Sequence, residues 1–225
     1  MIKAVLIDID NTLLDFIKAA YISIKSAFNS FGFEYDQNMH VVFNRVNDGL
    51  WKDIEACKLT REELHKIRFN LVLKELGIEF DGQKIEKEFL KNLFDCVVIV
   101  DGAVEILEYL AGKYDVYVAS NAIYDQQVNR LTKAGMIGYI KKLFISERMG
   151  VYKPEKAFFD ACFKELGGIT PDQVVMIGDS INADIKGGKN YGMKTIWFNF
   201  KGEKEPDEKP YDYVVDKLLE IRNIL

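Results

Sequence analysis

The stretch Ala4-Val5-Leu6-Ile7-Asp8-Ile9-Asp10-Asn11-Thr12 decides the fold. An unbroken apolar run ends on two carboxylates spaced two residues apart. A continuous run of this kind reads as a strand buried on both faces, as in a parallel sheet. The same texture returns at VYVAS (116–120), LFIS (143–146), VVMIGD (174–179), TIWFN (195–199) and YVVD (213–216). Between these runs the apolar spacing becomes that of a helix. Ala103, Ile106, Leu107, Leu110, Ala111 and Tyr114 fall on one stripe. Phe158, Cys162 and Leu166 fall on another, with Pro154 expected in its first turn. Strands alternating with helices imply right-handed crossovers, so the predicted fold class is α/β with a doubly wound parallel sheet.

One region breaks the alternation. Between residues 15 and 95 the strand texture is replaced by helical stripes. Ala20, Ile24, Ala27, Phe28 and Phe31 form one, stopped by Gly32. Thr60 with Glu63 has the spacing of a capping box, opening a helix whose buried side is expected at Leu64, Ile67 and Leu71. Gly77 and Gly82 punctuate before another helical stretch toward Phe94. The expected organisation is a core of residues 1–14 and 96–225, with residues 15–95 as a helical domain set into it after the first strand. The Glu-, Lys- and Pro-rich stretch 201–210 reads as an exposed loop.

Composition fits that outline. The chain has 225 residues, about one and a half domains by length. It is 48% hydrophobic and 29% charged, which excludes wholesale disorder. Its 30 Lys and Arg against 35 Asp and Glu give a net charge of −5, which disfavours a nucleic acid polymer as partner. No run is long enough to span a membrane, and the first residues do not read as a signal peptide, so a cytoplasmic protein is expected. Cys57, Cys96 and Cys162 lack the paired spacing of a zinc site and read as idle thiols. His40 and His65 have no partner at ligand spacing and read as surface residues. The sequence specifies no oligomeric state.

The chemistry lies where the strands end, because ligands of open α/β sheets sit outside the carboxyl ends of the strands. The first run ends in Asp8-Ile9-Asp10-Asn11-Thr12, the next in Ser120-Asn121. After LFIS the chain turns to Lys153-Pro154, and VVMIGD ends in Gly178-Asp179-Ser180, with Asp184 five residues beyond Asp179. If the sheet is parallel, all of these converge on one edge. Two carboxylates about 4 Å apart repel by roughly 4 kcal/mol at an effective dielectric of 20. Several ionised together therefore call for a cation, and hard oxygen ligands suit Mg²⁺, which commonly takes a phosphate oxygen as a further ligand. Lys153 adds a point charge for the same phosphate, and Ser120 a hydroxyl near backbone N–H groups. A carboxylate can serve as covalent nucleophile to phosphorus while its neighbour moves protons. The pattern reads as phosphoryl transfer.

Asp-x-Asp-x-Thr at 8–12, Ser120, Lys153-Pro154 and Gly-Asp-x-x-x-x-Asp at 178–184 resemble, in order, the four motifs of the haloacid dehalogenase (HAD) superfamily. The resemblance implies a Rossmann-like core with a C1-type helical cap inserted after the first strand, as in subfamily I. It implies Asp8 as the nucleophile that forms an aspartyl-phosphate and Asp10 as general acid, then general base. Ser120, with Asn121 beside it, would bind the phosphoryl group, and Lys153 would neutralise charge between it and Asp8. Asp8, Asp179 and the backbone carbonyl of Asp10 would hold Mg²⁺, with Asp184 orienting that shell. Within the cap, Asn47-x-x-Leu50-Trp51, Leu59-Thr60, Leu64 and Arg68-Phe69 resemble the bacterial pyrimidine-type 5′-nucleotidase branch. That implies nucleoside 5′-monophosphates as substrates, with Asn47 and Trp51 as candidate contacts to the leaving group. The other readings are a phosphatase or mutase of phosphoglycolate or sugar phosphates, a 2-haloacid dehalogenase, and a non-enzymatic binding protein.

Overall fold

A computed structural model describes residues 1–56 and 58–225; Cys57 lies outside the described residues. The apolar runs form six strands: β1 (Ala4–Ile7), β2 (Asp115–Ser120), β3 (Lys142–Ile145), β4 (Val174–Gly178), β5 (Lys194–Phe198) and β6 (Tyr213–Val215). All pair in parallel, in the spatial order β3-β2-β1-β4-β5-β6. The chain starts at the middle of the sheet, builds outward on one side, then returns to build on the other. The winding reverses between β1 and β4, where such a sheet leaves a crevice at its carboxyl edge. Ile7 pairs with Val118 on one side and Ile177 on the other, so the central strands end within two residues of one another. The doubly wound, Rossmann-like α/β core expected from the sequence is present.

The chain forms two compact units, Met1–Asp15 with Val98–Leu225, and Phe16–Val97. Among its described residues the second unit contains four helices, α1 (Phe16–Ser30), α2 (Gln37–Glu55), α3 (Arg61–Leu76) and α4 (Gly82–Asp95). The capping box forms: Glu63 N–H donates to Thr60 Oγ1 at 3.2 Å, and Thr60 N–H donates to Glu63 Oε2 at 2.8 Å. The buried side of α3 differs from the expected stripe. Leu64 is buried but Leu71 is 39% exposed, while Arg68, Phe69, Val72 and Leu73 lie inside. The reason is that α3 packs against both α2 and α4, which widens and turns its covered face. Phe31 is also exposed, because it follows the last helical residue and sits in the turn that Gly32 closes at φ +80°. Gly82 has a packing reason as well: a Cβ there would lie 2.4 Å from the Asn70 backbone nitrogen.

Phe43, Phe69 and Phe89 pack ring to ring at 5.5–5.9 Å, and the Arg68 guanidinium lies over all three faces, nearest Phe89 at 4.9 Å. Arg68 donates to Glu86 at 3.1 and 2.5 Å and to Asn47 Oδ1 at 2.9 Å. His65 Nδ1 lies 2.7 Å from Glu86 Oε1. Burial alone would raise the Glu86 carboxyl, but Arg68 and His65 more than offset it and hold it below the usual carboxylate range. His40 is buried too, 3.0 Å from the Tyr35 hydroxyl. Neither histidine is thus an isolated surface residue. Their partners are supplied by packing and by turns, which ligand spacing along the chain does not register.

In the first unit, helices α5 (Ala103–Ala111), α6 (Tyr124–Lys133), α7 (Ser146–Met149), α8 (Lys156–Glu165) and α9 (Gly187–Tyr191) accompany the strands. Ile106, Leu107 and Leu110 of α5 are buried, as are Phe158 and Cys162 of α8 and Leu166 just beyond it. Ala4, Leu6, Ala119, Phe144 and Met176 share one apolar cluster with the α8 side chains. Burial pushes the Cys162 thiol up to about 12, which leaves it unreactive. Pro154 precedes α8 rather than opening it. The Lys153 N–H and carbonyl are both bonded to Asn121, which holds this segment in a turn. Among the described residues no helix is long and apolar enough to cross a membrane.

Candidate active site

The site begins where β1 stops. Asp8 continues the ladder, its N–H donating to the Ile177 carbonyl at 2.9 Å. The chain then coils back, and the Ile9 carbonyl accepts from the N–H groups of Thr12, Leu13 and Leu14 at 2.8–3.2 Å. Asn11 takes the left-handed conformation this turn needs, at φ 59°, a state asparagine adopts more readily than most residues. Asp8 is thereby fixed at the strand end and Asp10 in the turn.

Beside it, β4 ends in Gly178, Asp179 and Ser180. Gly178 is required by what faces it: a Cβ there would fall 2.2 Å from Asp184 Oδ2. Asp184 returns because residues Ile181–Lys186 form a π-helical turn whose start is capped by Ser180, with Ala183 N–H donating to its Oγ at 3.0 Å. The Ser180 N–H donates to Asp184 Oδ2 at 3.0 Å, and Trp197 Nε1 donates to the Asp179 carbonyl at 2.9 Å.

Lys153 ties the two loops together. Its Nζ donates to Asp8 Oδ1 at 2.7 Å, Asp184 Oδ1 at 2.6 Å and the Ala119 carbonyl at 2.6 Å. All three donors of the ammonium are used, and Lys153 is only 2% exposed. The Asn121 side chain accepts from the Lys153 N–H and donates to its carbonyl, both at 2.9 Å. Ser120 ends β2 with its side chain buried. The Ala122 N–H after it donates to Ser146 Oγ at 3.1 Å, which ties the β2 and β3 ends together.

One ammonium does not balance the acids around it. Carboxylate oxygens of Asp8, Asp179 and Asp184 lie within 4.8 Å of one another. Burial, opposed by Lys153 and reinforced by Asp184 and Asp10, drives the Asp8 carboxyl up to about 7. Burial and the neighbouring Asp8 and Asp184 push Asp179 well above the ordinary carboxylate range. Lys153 goes the other way: burial disfavours its charge, but Asp184 and Asp8 outweigh burial and keep it protonated. A pocket of hard oxygen donors whose carboxylates resist joint ionisation fits a hard divalent cation. The acidic cluster suits Mg²⁺ by donor type and spacing.

The structure thus brings Asp8, Lys153 and Asp184 into one hydrogen-bonded cluster, with an Asp179 carboxylate oxygen within 4.8 Å of those of the two aspartates and Asn121 bracing Lys153. Asp184 contributes a carboxylate to the cluster directly. Asp10 stands differently: its Oδ2 accepts from Gln127 Nε2 at 2.6 Å and its Oδ1 from an Arg130 terminal nitrogen at 2.7 Å. Gln127 and Arg130 were not read from the sequence. A signal existed, since both fall on the covered stripe of α6 with Leu131 and Ala134, where polar residues are out of place without a partner. Asn47 and Trp51 belong to α2 of the helical unit, Asn47 buried with its Oδ1 taken by Arg68 and Trp51 half-buried.

Comparison with known proteins agrees with this geometry. Residues 2–192 match the haloacid dehalogenase-like hydrolase family. The HAD-hydrolase YfnB of Bacillus subtilis (strain 168) is 33% identical over 229 residues, covering 99% of this chain and 95% of that protein. A crystal structure of YfnB bound to magnesium matches with a TM-score of 0.94 at 32% identity, over 100% of this chain and 98% of the other. The pyrimidine 5′-nucleotidase PynA of Streptococcus pneumoniae (strain ATCC BAA-255 / R6) is 34% identical over 198 residues, covering 88% of this chain and 84% of PynA. With its motifs gathered at the switch point of a doubly wound sheet, the chain belongs to the haloacid dehalogenase-like hydrolase family.

Proposed function

We propose that the chain is a Mg²⁺-dependent phosphatase that hydrolyses small phosphomonoesters, nucleoside 5′-monophosphates foremost, through an aspartyl-phosphate on Asp8. The observation that carries this reading is the unbalanced cluster at the sheet edge: three carboxylates around one buried ammonium. Mg²⁺, held by Asp8, Asp179 and the Asp10 carbonyl with Asp184 steadying them, would neutralise both the carboxylates and the phosphoryl oxygens.

In the first step a carboxylate oxygen of Asp8 attacks phosphorus, and the ester P–O bond breaks. The departing oxygen takes a proton from Asp10 and leaves as the alcohol. In the second step water attacks phosphorus, giving a proton to the Asp10 carboxylate. Inorganic phosphate leaves and Asp8 is restored. Lys153 steadies the charge shared between Asp8 and the phosphoryl group, and the Ser120 hydroxyl binds a phosphoryl oxygen. Asn121 acts through the Lys153 backbone it braces. Leaving-group choice belongs to the helical unit, with Trp51 and the Asn47 amide as contacts.

The names of the relatives support the nucleotide class, since PynA is a pyrimidine 5′-nucleotidase, and the YfnB crystals support the metal. A phosphate-release screen over nucleoside 5′-monophosphates and sugar phosphates tests the reading. We expect nucleotides to give the highest kcat/KM with Mg²⁺ and no turnover with EDTA. A preference for sugar phosphates would move the substrate class, and undiminished turnover in EDTA would remove the metal.

A further inference from the structure

Gln127 and Arg130 hold the Asp10 side chain through both of its oxygens. Arg130 also donates to Gln127 Oε1 at 3.1 Å from the same nitrogen that reaches Asp10, so the three side chains close a ring of hydrogen bonds. Gln127 and Arg130 are each 1% exposed and stand on successive turns of α6. Asp10 sits in a turn and its side chain is 27% exposed. Left alone, such a carboxyl would sample several orientations about its two side-chain dihedrals.

We infer that Gln127 and Arg130 are positioning residues that fix the Asp10 carboxyl in the orientation its proton transfers require. This rests on the phosphatase reading above. Each carboxylate oxygen offers about two acceptor sites. One on each oxygen is taken by the α6 pair, and one on each is left for a proton going to or coming from the substrate. Rotation of Asp10 breaks two bonds to buried side chains at once, one to a guanidinium and one to an amide, and each loss costs stability. The buried pair is therefore a device for orientation. A misplacement of about 1 Å at a proton-transferring group costs on the order of a hundredfold in rate.

The test separates orientation of Asp10 from a merely structural role. Nitrophenolate leaves with little help from an acid, whereas an alkoxide needs a proton. The ratio kcat/KM covers only the steps up to loss of the leaving group. Gln127→Leu, similar in size to the native side chain, and Arg130→Lys are assayed as intact proteins with Mg²⁺, alongside Arg130→Met. The substrates are p-nitrophenyl phosphate and the alkyl phosphate that the wild type hydrolyses best. For Gln127→Leu we expect kcat/KM on the alkyl ester to fall about 10- to 100-fold and on the aryl ester by less than about threefold. Arg130→Lys should recover part of what Arg130→Met loses on the alkyl ester. Equal proportional losses on both esters, or no loss on either, would overturn the inference while leaving the phosphatase reading intact. A wild type inert toward every ester would overturn both. If an Arg130 variant does not fold, Gln127→Leu alone decides.

Discussion

The molecule buries two clusters of charge, and they are built on opposite principles. In the helical unit Arg68 pairs with Glu86, His65 and Asn47 bond to the pair, and the result is a carboxyl held below its usual range. In the sheet unit three carboxylates share one lysine, and two of them are pushed above it. Burial penalises charge in both places. Only the first cluster carries enough compensating charge of its own. The second is left short of positive charge at the carboxyl edge of the sheet, and that shortfall is what a cation and a phosphoryl group would exploit. A balanced buried cluster holds a fold, whereas an unbalanced one marks a site.

The largest expected difference between the two is in activity. Asp8→Asn should abolish phosphate release, by about 10⁴-fold or more, while unfolding by denaturant stays near wild type or moves to higher stability. Retained turnover would remove Asp8 as nucleophile. Lys153→Met comes next, with a loss of about 10²- to 10³-fold in kcat/KM. Its carboxylates can relieve the lost charge by taking up protons.

Arg68 has no such escape, because a guanidinium stays charged. Glu86→Gln should therefore cost about 3–5 kcal/mol, measured by urea unfolding. A cost below about 1 kcal/mol would mean that the Arg68 cluster is wet, and the contrast between the two clusters would fail. Smaller still is Thr60→Ala, which removes the α3 cap and should cost about 1 kcal/mol with no specific effect on the chemistry.

The pH dependence sharpens the comparison by its sign. Asp8 titrates in the folded, metal-free protein at about 7, above its unfolded value. Its contribution to stability is full below the unfolded carboxylate range near 4 and is lost as pH rises through 7. Glu86 lies below its ordinary value, so its contribution is present above that range and is lost as pH falls through its folded value. Unfolding in EDTA across pH 3–8 should show both limbs. Asp8→Asn should reduce the limb at higher pH, to which Asp179 also contributes, and Glu86→Gln should flatten the acid limb. A variant that flattened the other limb would reverse the assignment.

How much of this the sequence displayed follows from what each feature depends on. Strand ends are local, so Asp8, Ser120 and Asp179 are legible as candidates from where apolar runs stop, and Lys153 from the turn that follows β3. Asp184 was legible as a neighbour, but not as a carboxylate inside the cluster, because that requires the π-helical turn after Ser180. His65 and His40 read as surface residues, and the Arg68–Glu86 pair is invisible in the sequence, because the partners come from other helices or from a turn that spacing does not reveal. Leu71 departs from the expected stripe for the same reason, since α3 is covered from two sides. Gln127 and Arg130 are the instructive case. Polar residues on a covered stripe announce a partner without saying which one.

The central claim is that Asp8 carries the phosphoryl group. Rapid acid quench of the Mg²⁺-loaded protein with a substrate radiolabelled in its phosphoryl group, followed by peptide mapping, tests it most directly. We expect transient label on the peptide containing Asp8, discharged by hydroxylamine and absent from Asp8→Asn. Steady hydrolysis with no labelled protein at any time, or label on another residue, would contradict it.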